Sequence, residues 1–201
     1  GKPFKTREGG VMRLERLLNE ITEEMYQKIV SNRSVKETDA RKTAEMVALS
    51  AVKYGDLSNQ ASKDYIFDTE RFTSFEGNTG PYILYTIVRI KSILSRFAEN
   101  GGDQERGEIL SALGTGEKSL MLLLAGFNAI VENAFEEKAP HKICSYIYEL
   151  ANAFNSFYHE TKILSEENEE RKASYIRLLV LTRDVLETSI SLLGFAAPEK
   201  M

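Results

Sequence analysis

Tryptophan is absent from this chain of 201 residues, and cysteine, histidine and proline are scarce, with one, two and four copies. A single cysteine, Cys144, can close no intramolecular disulfide, which suits a reducing compartment. Cys144 also lies in an apolar helical pattern, where a thiol serves as a small core residue rather than a nucleophile. His141, beside Pro140, reads as a helix-start residue and His159 as an exposed one. Two histidines and one cysteine at these spacings make no metal site, and no nucleophile–base–orienter set is visible. The longest apolar run, Leu120 to Ala125, is far too short to cross a bilayer. No charged-then-apolar leader opens the chain. An excess of positive charge is missing too: 26 Lys and Arg against 30 Asp and Glu give a net charge of −4. A polycation that grips nucleic acid by bulk charge is thereby excluded. RNA contact would have to rest on local geometry and on stacking of unpaired bases. The expectation is a soluble cytoplasmic protein.

What is present is helical periodicity almost throughout. Hydrophobic residues make up 42% of the chain, enough for a substantial core. The chain opens without an initiator methionine on a glycine-bracketed basic loop carrying Lys2, Lys5 and Arg7, as if cut from something longer. A first helix is expected over residues 12–31, with Leu14, Leu17, Leu18, Ile21, Met25 and Ile29 as its apolar stripe. Asp39 is the expected N-cap of a second helix that buries Ala44, Val47, Ala48, Ala51 and Val52 and loosens at Gly55. Pro81 suits the first turn of a third helix that runs to residue 98. Residues 100–108 and 114–116 read as loops. A fourth helix is expected over 117–137 and a fifth from Pro140 to Tyr158. The acidic run Glu166 to Glu170 reads as a solvated helix start. A last helix over 174–193 ends at Gly194 as C-cap. Its apolar residues, Leu179, Leu186 and Ile190 on one side and Leu178, Leu181, Val185 and Leu192 on the other, require cover on two faces. Arg177, Asp184 and Thr188 form a polar ridge between them. The fold class read from this pattern is all-α, a helix bundle with a short helical extension.

The fifth helix carries the strongest case for RNA contact. Ile143, Ile147, Leu150, Phe154, Phe157 and Tyr158 fall on one broad face, and an aromatic stripe at helical spacing is first of all a core face. Tyr148, Asn152 and Asn155 project away from it, a tyrosine and two amides suited to stacking and hydrogen bonding, unless the amides are merely solvated. Tyr146, at the edge of the core face, is open to either role. On the third helix, Tyr82, Tyr85 and Arg89 share a face at i, i+3 and i+7. Tyr85 reads as buried, and Arg89 as a residue for a backbone phosphate.

Several segments, in one order, resemble arginyl-tRNA synthetases of class I. They are Gly1 to Arg7; Ala51 to Ser58 with Asp64 to Asp68; Ser74 to Tyr82 with Tyr85 and Arg89; Pro140-His141, Tyr146 to Ala151 and Phe154 to Tyr158; and Arg177 to Leu179 with Leu192 to Phe195 and Glu199 to Met201. The resemblance covers nearly the whole chain. It implies a C-terminal fragment: residues 1–80 as the end of the catalytic domain, with its signature loop, and 81–201 as the all-helical anticodon-binding domain of DALR type. It further implies that Lys2, Lys5, Thr6 and Arg7 meet ATP phosphates in the full-length enzyme, which uses ATP and Mg2+. The fragment itself would need no cofactor, and its catalytic residues would be none in isolation. The implied partner is the anticodon loop of arginine tRNA, bound by a monomer that takes neither DNA nor membrane. The loop lacks the second lysine–serine pair of the family's standard motif, and Gly80 stands where the family often has alanine. All arginine codons have G in the middle, so the middle anticodon base is C. Its recognition needs an acceptor for the amino group and donors for the ring nitrogen and carbonyl. Asn155, Arg177 and backbone groups near Met201 can supply these. Met201 itself is either a frayed end or, as the resemblance implies, tucked against the anticodon site. The rival to this reading is a non-enzymatic helix bundle acting as a protein-interaction or regulatory module.

Overall fold

Helical periodicity becomes eight α-helices and one short 3-10 turn in the computed structural model, which describes residues 13–32, 36–66 and 68–201. They are α1 (Leu14–Asn32), α2 (Glu37–Leu57), α3 (Thr69–Phe72), α4 (Gly80–Glu99), α5 (Thr115–Ala125), α6 (Phe127–Glu136), α7 (Pro140–Glu160), the 3-10 turn Ile163–Ser165, and α8 (Glu169–Leu192). No strand occurs among the described residues, so the all-α expectation holds. No single helix among them is long and apolar enough to cross a membrane.

α1 lies along α2, and α2 packs on α4 and α7. α4 and α7 in turn pack on α8, while α5 covers α7. Each helix gives its apolar stripe to one core: Ile21 and Met25 from α1, Val47 and Tyr54 from α2, Ile83, Ile87 and Ile90 from α4. α7 adds Ile147, Leu150 and Phe154, and α8 adds Leu179, Leu186 and Ile190. The two-face burial expected of α8 is met at Leu178 and Val185 but not at Leu181 and Leu192, which are exposed.

Caps explain where the elements begin and end. Thr79 accepts from the Tyr82 N–H, so α4 starts with Pro81 in its first turn, where the missing N–H costs nothing. Asn168 caps α8 in the same way, with Glu169 and Glu170 in the first turn of the helix. At the far end Gly194 has φ +82°, and the N–H groups of Gly194 and Phe195 bond the carbonyls of Ser191 and Ile190. That pair of bonds is a Schellman motif, which favours glycine at the left-handed position.

Four expectations are corrected. The cap of α2 is Lys36, whose carbonyl accepts from Asp39 and Ala40, so Asp39 lies inside the first turn. α2 also runs through Gly55 to Leu57, with Phe72 lying where a Gly55 side chain would stand. Residues 115 and 116 are helical because the Glu117 carboxylate reaches back to the Leu113 N–H at 2.8 Å and holds the first turn of α5. The expected single helix over 117–137 is two, bent by 42° at Gly126, where an i→i−3 bond to Leu123 replaces the regular ladder.

Gly80 opens α4 directly against α2. A Cβ there would collide with the Ser50 carbonyl oxygen, which is backbone and cannot swing aside. The alanine favoured by the resemblance therefore has no room in this chain. Gly80→Ala is expected to lower the melting temperature clearly, because the α2–α4 crossing must widen and loosen the core beneath it. A melting temperature equal to wild type would contradict that packing.

Candidate nucleic-acid interface

α4 and α7 run side by side in the same direction, since Tyr82 meets Tyr148 and Asn152 while Arg89, two turns later, meets Asn155 and Tyr158. Both helices bury their aliphatic residues inward. Among the residues left outward, Tyr82, Tyr85 and Arg89 from α4 face Tyr148, Asn152, Asn155 and Tyr158 from α7. The i, i+3 and i+4 spacings place each set on one line along its helix, and the two lines meet as one ridge.

Polar contacts knit the ridge together. Arg89 Nη1 donates to Asn155 Oδ1 at 2.7 Å, and Nη2 lies 3.2 Å from the Tyr85 hydroxyl. Asn155 Nδ2 donates to the Tyr82 hydroxyl oxygen at 2.9 Å, and Tyr82 donates to Asn152 Oδ1 at 2.7 Å. Tyr82 and Tyr148 meet edge to face with centroids 5.8 Å apart. The Arg89 guanidinium lies 4.8 Å from the centroid of Tyr85 and 5.4 Å from that of Tyr158. Each such cation–π contact contributes on the order of 0.5–2 kcal/mol. Among the described residues Arg89 has no carboxylate partner, unlike the other half-buried arginines, Arg171, Arg177 and Arg183, which pair with Glu117, Glu105 and Asp184. A half-buried cation left without an anion, flanked by aromatic rings, is an arrangement suited to an RNA phosphate or base. Burial raises the Tyr82 phenol above its ordinary range, with the Asn155 hydrogen bond opposing, so the hydroxyl keeps its proton at neutral pH.

The residues singled out from sequence thus divide. Arg89, Tyr148, Asn152 and Asn155 come together. Tyr146 does not join them: it is 5% exposed, its hydroxyl bonds the Leu123 carbonyl at 3.0 Å, and its ring lies beside Phe127. Packing of α5 on α7 puts it inside, which corrects the reading of Tyr146 as an RNA contact in favour of the core. Arg177 is held elsewhere, by Glu105 at 2.7 Å and the Gln104 carbonyl at 3.4 Å, where the 100–113 loop crosses α8. Met201 packs half-buried against the core. The tail before it is tied by Glu199 to Lys91 at 2.6 Å, and Lys91 also pairs with Glu187 at 2.8 Å. Lys2, Lys5, Thr6 and Arg7 lie outside the described residues. Tyr85, expected buried, is 41% exposed, and Tyr158 leaves the core face for the ridge at 37%. Tyr82 is the main residue missed as a contact: its i−3 and i−7 spacing to Tyr85 and Arg89 was visible, its hydroxyl's partners on another helix were not. Cys144 is buried, its thiol pushed up to about 12 by burial, in keeping with a core role.

An all-helical bundle with an aromatic, amide and arginine ridge has groups suited to stacking and hydrogen-bonding unstacked bases. Residues 83–201 match the family model described as the DALR anticodon binding domain, and the chain belongs to that family. Residues 1–69 match a second model, tRNA synthetases class I (R), catalytic domain. Among curated relatives, an arginine–tRNA ligase of Agathobacter rectalis is 67% identical over 209 residues, covering all of this chain and 35% of that protein. One from Alkaliphilus oremlandii is 55% identical over 201 residues, again across the whole chain and 34% of the relative. The chain therefore spans about a third of the length of these relatives. Among solved structures, Thermus thermophilus arginyl-tRNA synthetase superposes with a TM-score of 0.86 at 29% identity, over 96% of this chain and 33% of that one. The Plasmodium falciparum enzyme gives 0.82 at 30% identity, over 95% and 34%.

Proposed function

We propose that this chain is the tRNA-reading part of an arginine–tRNA ligase, and that its α4–α7 ridge takes the anticodon loop of arginine tRNA. The observation that carries the reading is Arg89: half-buried, without a carboxylate, and set between Tyr85, Tyr158 and Asn155. Tyr148 and Tyr82 offer ring faces for unstacked bases. Residues 81–201 form the anticodon-binding bundle, and residues 1–80 belong to the end of the catalytic domain. Two family matches over different parts of the chain, 1–69 and 83–201, support that division.

The whole enzyme joins arginine to its tRNA at the expense of ATP, as a cytoplasmic monomer. Lys2, Lys5, Thr6 and Arg7 would there stabilise charge on the ATP phosphates. Among the described residues no group of three or more His, Cys, Asp and Glu side chains is placed to hold a metal ion. By itself the chain is an RNA-binding module, because one basic loop cannot position both ATP and arginine.

The test is the affinity of the 201-residue chain for the anticodon stem-loop of an arginine tRNA, against the same stem with a shuffled loop. Specific binding is expected, and Arg89→Ala should weaken it by about 1–3 kcal/mol with a smaller fall in melting temperature than a core cavity causes. Equal affinity for the two loops would favour the rival reading of a protein-interaction module.

A further inference from the structure

Arginine has donors and no acceptor, and that fact sets the direction of every hydrogen bond along the ridge. The Asn155 atom facing Arg89 must be the carbonyl Oδ1, at 2.7 Å. Its Nδ2 is then the atom facing Tyr82, whose oxygen accepts at 2.9 Å. The one proton of Tyr82 is left for Asn152, so the Asn152 atom 2.7 Å away must be Oδ1. In this arrangement each hydrogen bond of the relay runs from a donor to an acceptor. Asn152 Nδ2 is thereby turned outward on an exposed residue, with no partner among the described residues. Thr86, fully buried beneath the relay at 3.4 Å from Asn155 Nδ2, holds the middle of it in place.

We propose that Tyr82 is a positioning residue that locks the Asn152 and Asn155 amides, so that the ridge presents hydrogen-bond donors and reads acceptor atoms of the RNA. The inference rests on the proposed anticodon function and assigns its chemistry. Two kinds of RNA acceptor are set against each other: the ring nitrogen and carbonyl of cytosine, and a phosphate oxygen. They part on substitution of the loop. Exchanging C for U turns the ring nitrogen from acceptor to donor and opposes Asn152. A phosphate is unaffected by the exchange, and its loss lowers the salt dependence of binding.

Tyr82→Phe and Asn152→Asp in the 201-residue chain test the proposal. Tyr82→Phe keeps the ring against Tyr148 but removes the relay's central oxygen. It should weaken stem-loop binding about tenfold while the melting temperature stays close to wild type. Asn152→Asp keeps the oxygen that Tyr82 bonds and replaces the outward donor with an anion, so its loss should be the larger. Wild-type affinity in either variant would overturn the assignment. The positioning role is also read without RNA, from the side-chain amide NMR signals of Asn155. Slowed proton exchange in wild type that is lost in Tyr82→Phe is expected; identical exchange in both would overturn the relay. Failure of the wild-type chain to bind any stem-loop would instead remove the anticodon function, and with it the RNA acceptor assigned here, leaving the relay to stand on the NMR result.

Discussion

Glu117→Ala is expected to destabilise the protein by about 3–5 kcal/mol, because it removes a buried carboxylate and strands the half-buried arginine it pairs with. Glu117 is only 3% exposed. Its carboxylate accepts from the Leu113 N–H at 2.8 Å and meets Arg171 Nη1 at 3.4 Å. The same nitrogen donates to the Ser111 carbonyl at 2.8 Å. One carboxylate thus fastens the end of the 100–113 loop, the start of α5 and the first turn of α8. Without it the Arg171 guanidinium keeps its place near Tyr175 but loses its counter-charge, and the Leu113 N–H loses its acceptor. Urea unfolding of the single variant and of Glu117→Ala with Arg171→Met separates the causes. The double variant should recover much of the loss, since replacing a buried pair by apolar groups is close to neutral. A loss below about 1 kcal/mol in the single variant would mean that the pair behaves as a surface ion pair.

Phe154→Ala should cost about 3–5 kcal/mol, by lost burial and a core cavity. Phe154 is fully buried at the centre of α7. Its ring stacks on Tyr158 at 6.0 Å, and Tyr158 in turn lies under Arg89. The cavity would open directly beneath the α4–α7 ridge, so affinity for the stem-loop should fall together with stability. Arg89→Ala, by contrast, should lower affinity with a smaller loss of stability, because only its ring contacts and the Asn155 bond go. Parallel melting curves and titrations of the two variants read this difference. Early melting of Arg89→Ala, to the extent of Phe154→Ala, would make the ridge a piece of core.

These residues mark what could be read from the sequence and what could not. Period-3.6 patterning found the long helices, and Pro81 and Gly194 located ends that the structure keeps, whereas α8 begins inside the acidic run at Glu169 rather than at 174 because Asn168 caps it there. It did not find the bend at Gly126, because α5 and α6 continue one apolar pattern and only the backbone bond to Leu123 breaks it. Nor did it find Glu117 as a buried partner, since a glutamate in a first helical turn looks like any solvated one. The ridge was half legible. Tyr148, Asn152 and Asn155 project off the apolar face of α7, and a single helix is enough to show that. Which helix they meet depends on how α4 is laid beside α7, a contact between positions about 70 residues apart. Periodicity says which side faces away from the core, not what stands opposite. For the same reason Tyr85 was placed inside and Tyr146 left open, although packing of α5 buries Tyr146.

The central claim is that RNA lies along α4 and α7. Its most direct test is a chemical-shift map of the 201-residue chain titrated with an arginine anticodon stem-loop. The largest changes should fall on Tyr82, Tyr85, Arg89, Tyr148, Asn152 and Asn155, on both helices at once and at the same RNA concentration. Changes confined to Arg177 and the 100–113 loop, or to the exposed face of α5 and α6 around Leu122 and Phe135, would place the RNA elsewhere and contradict the account.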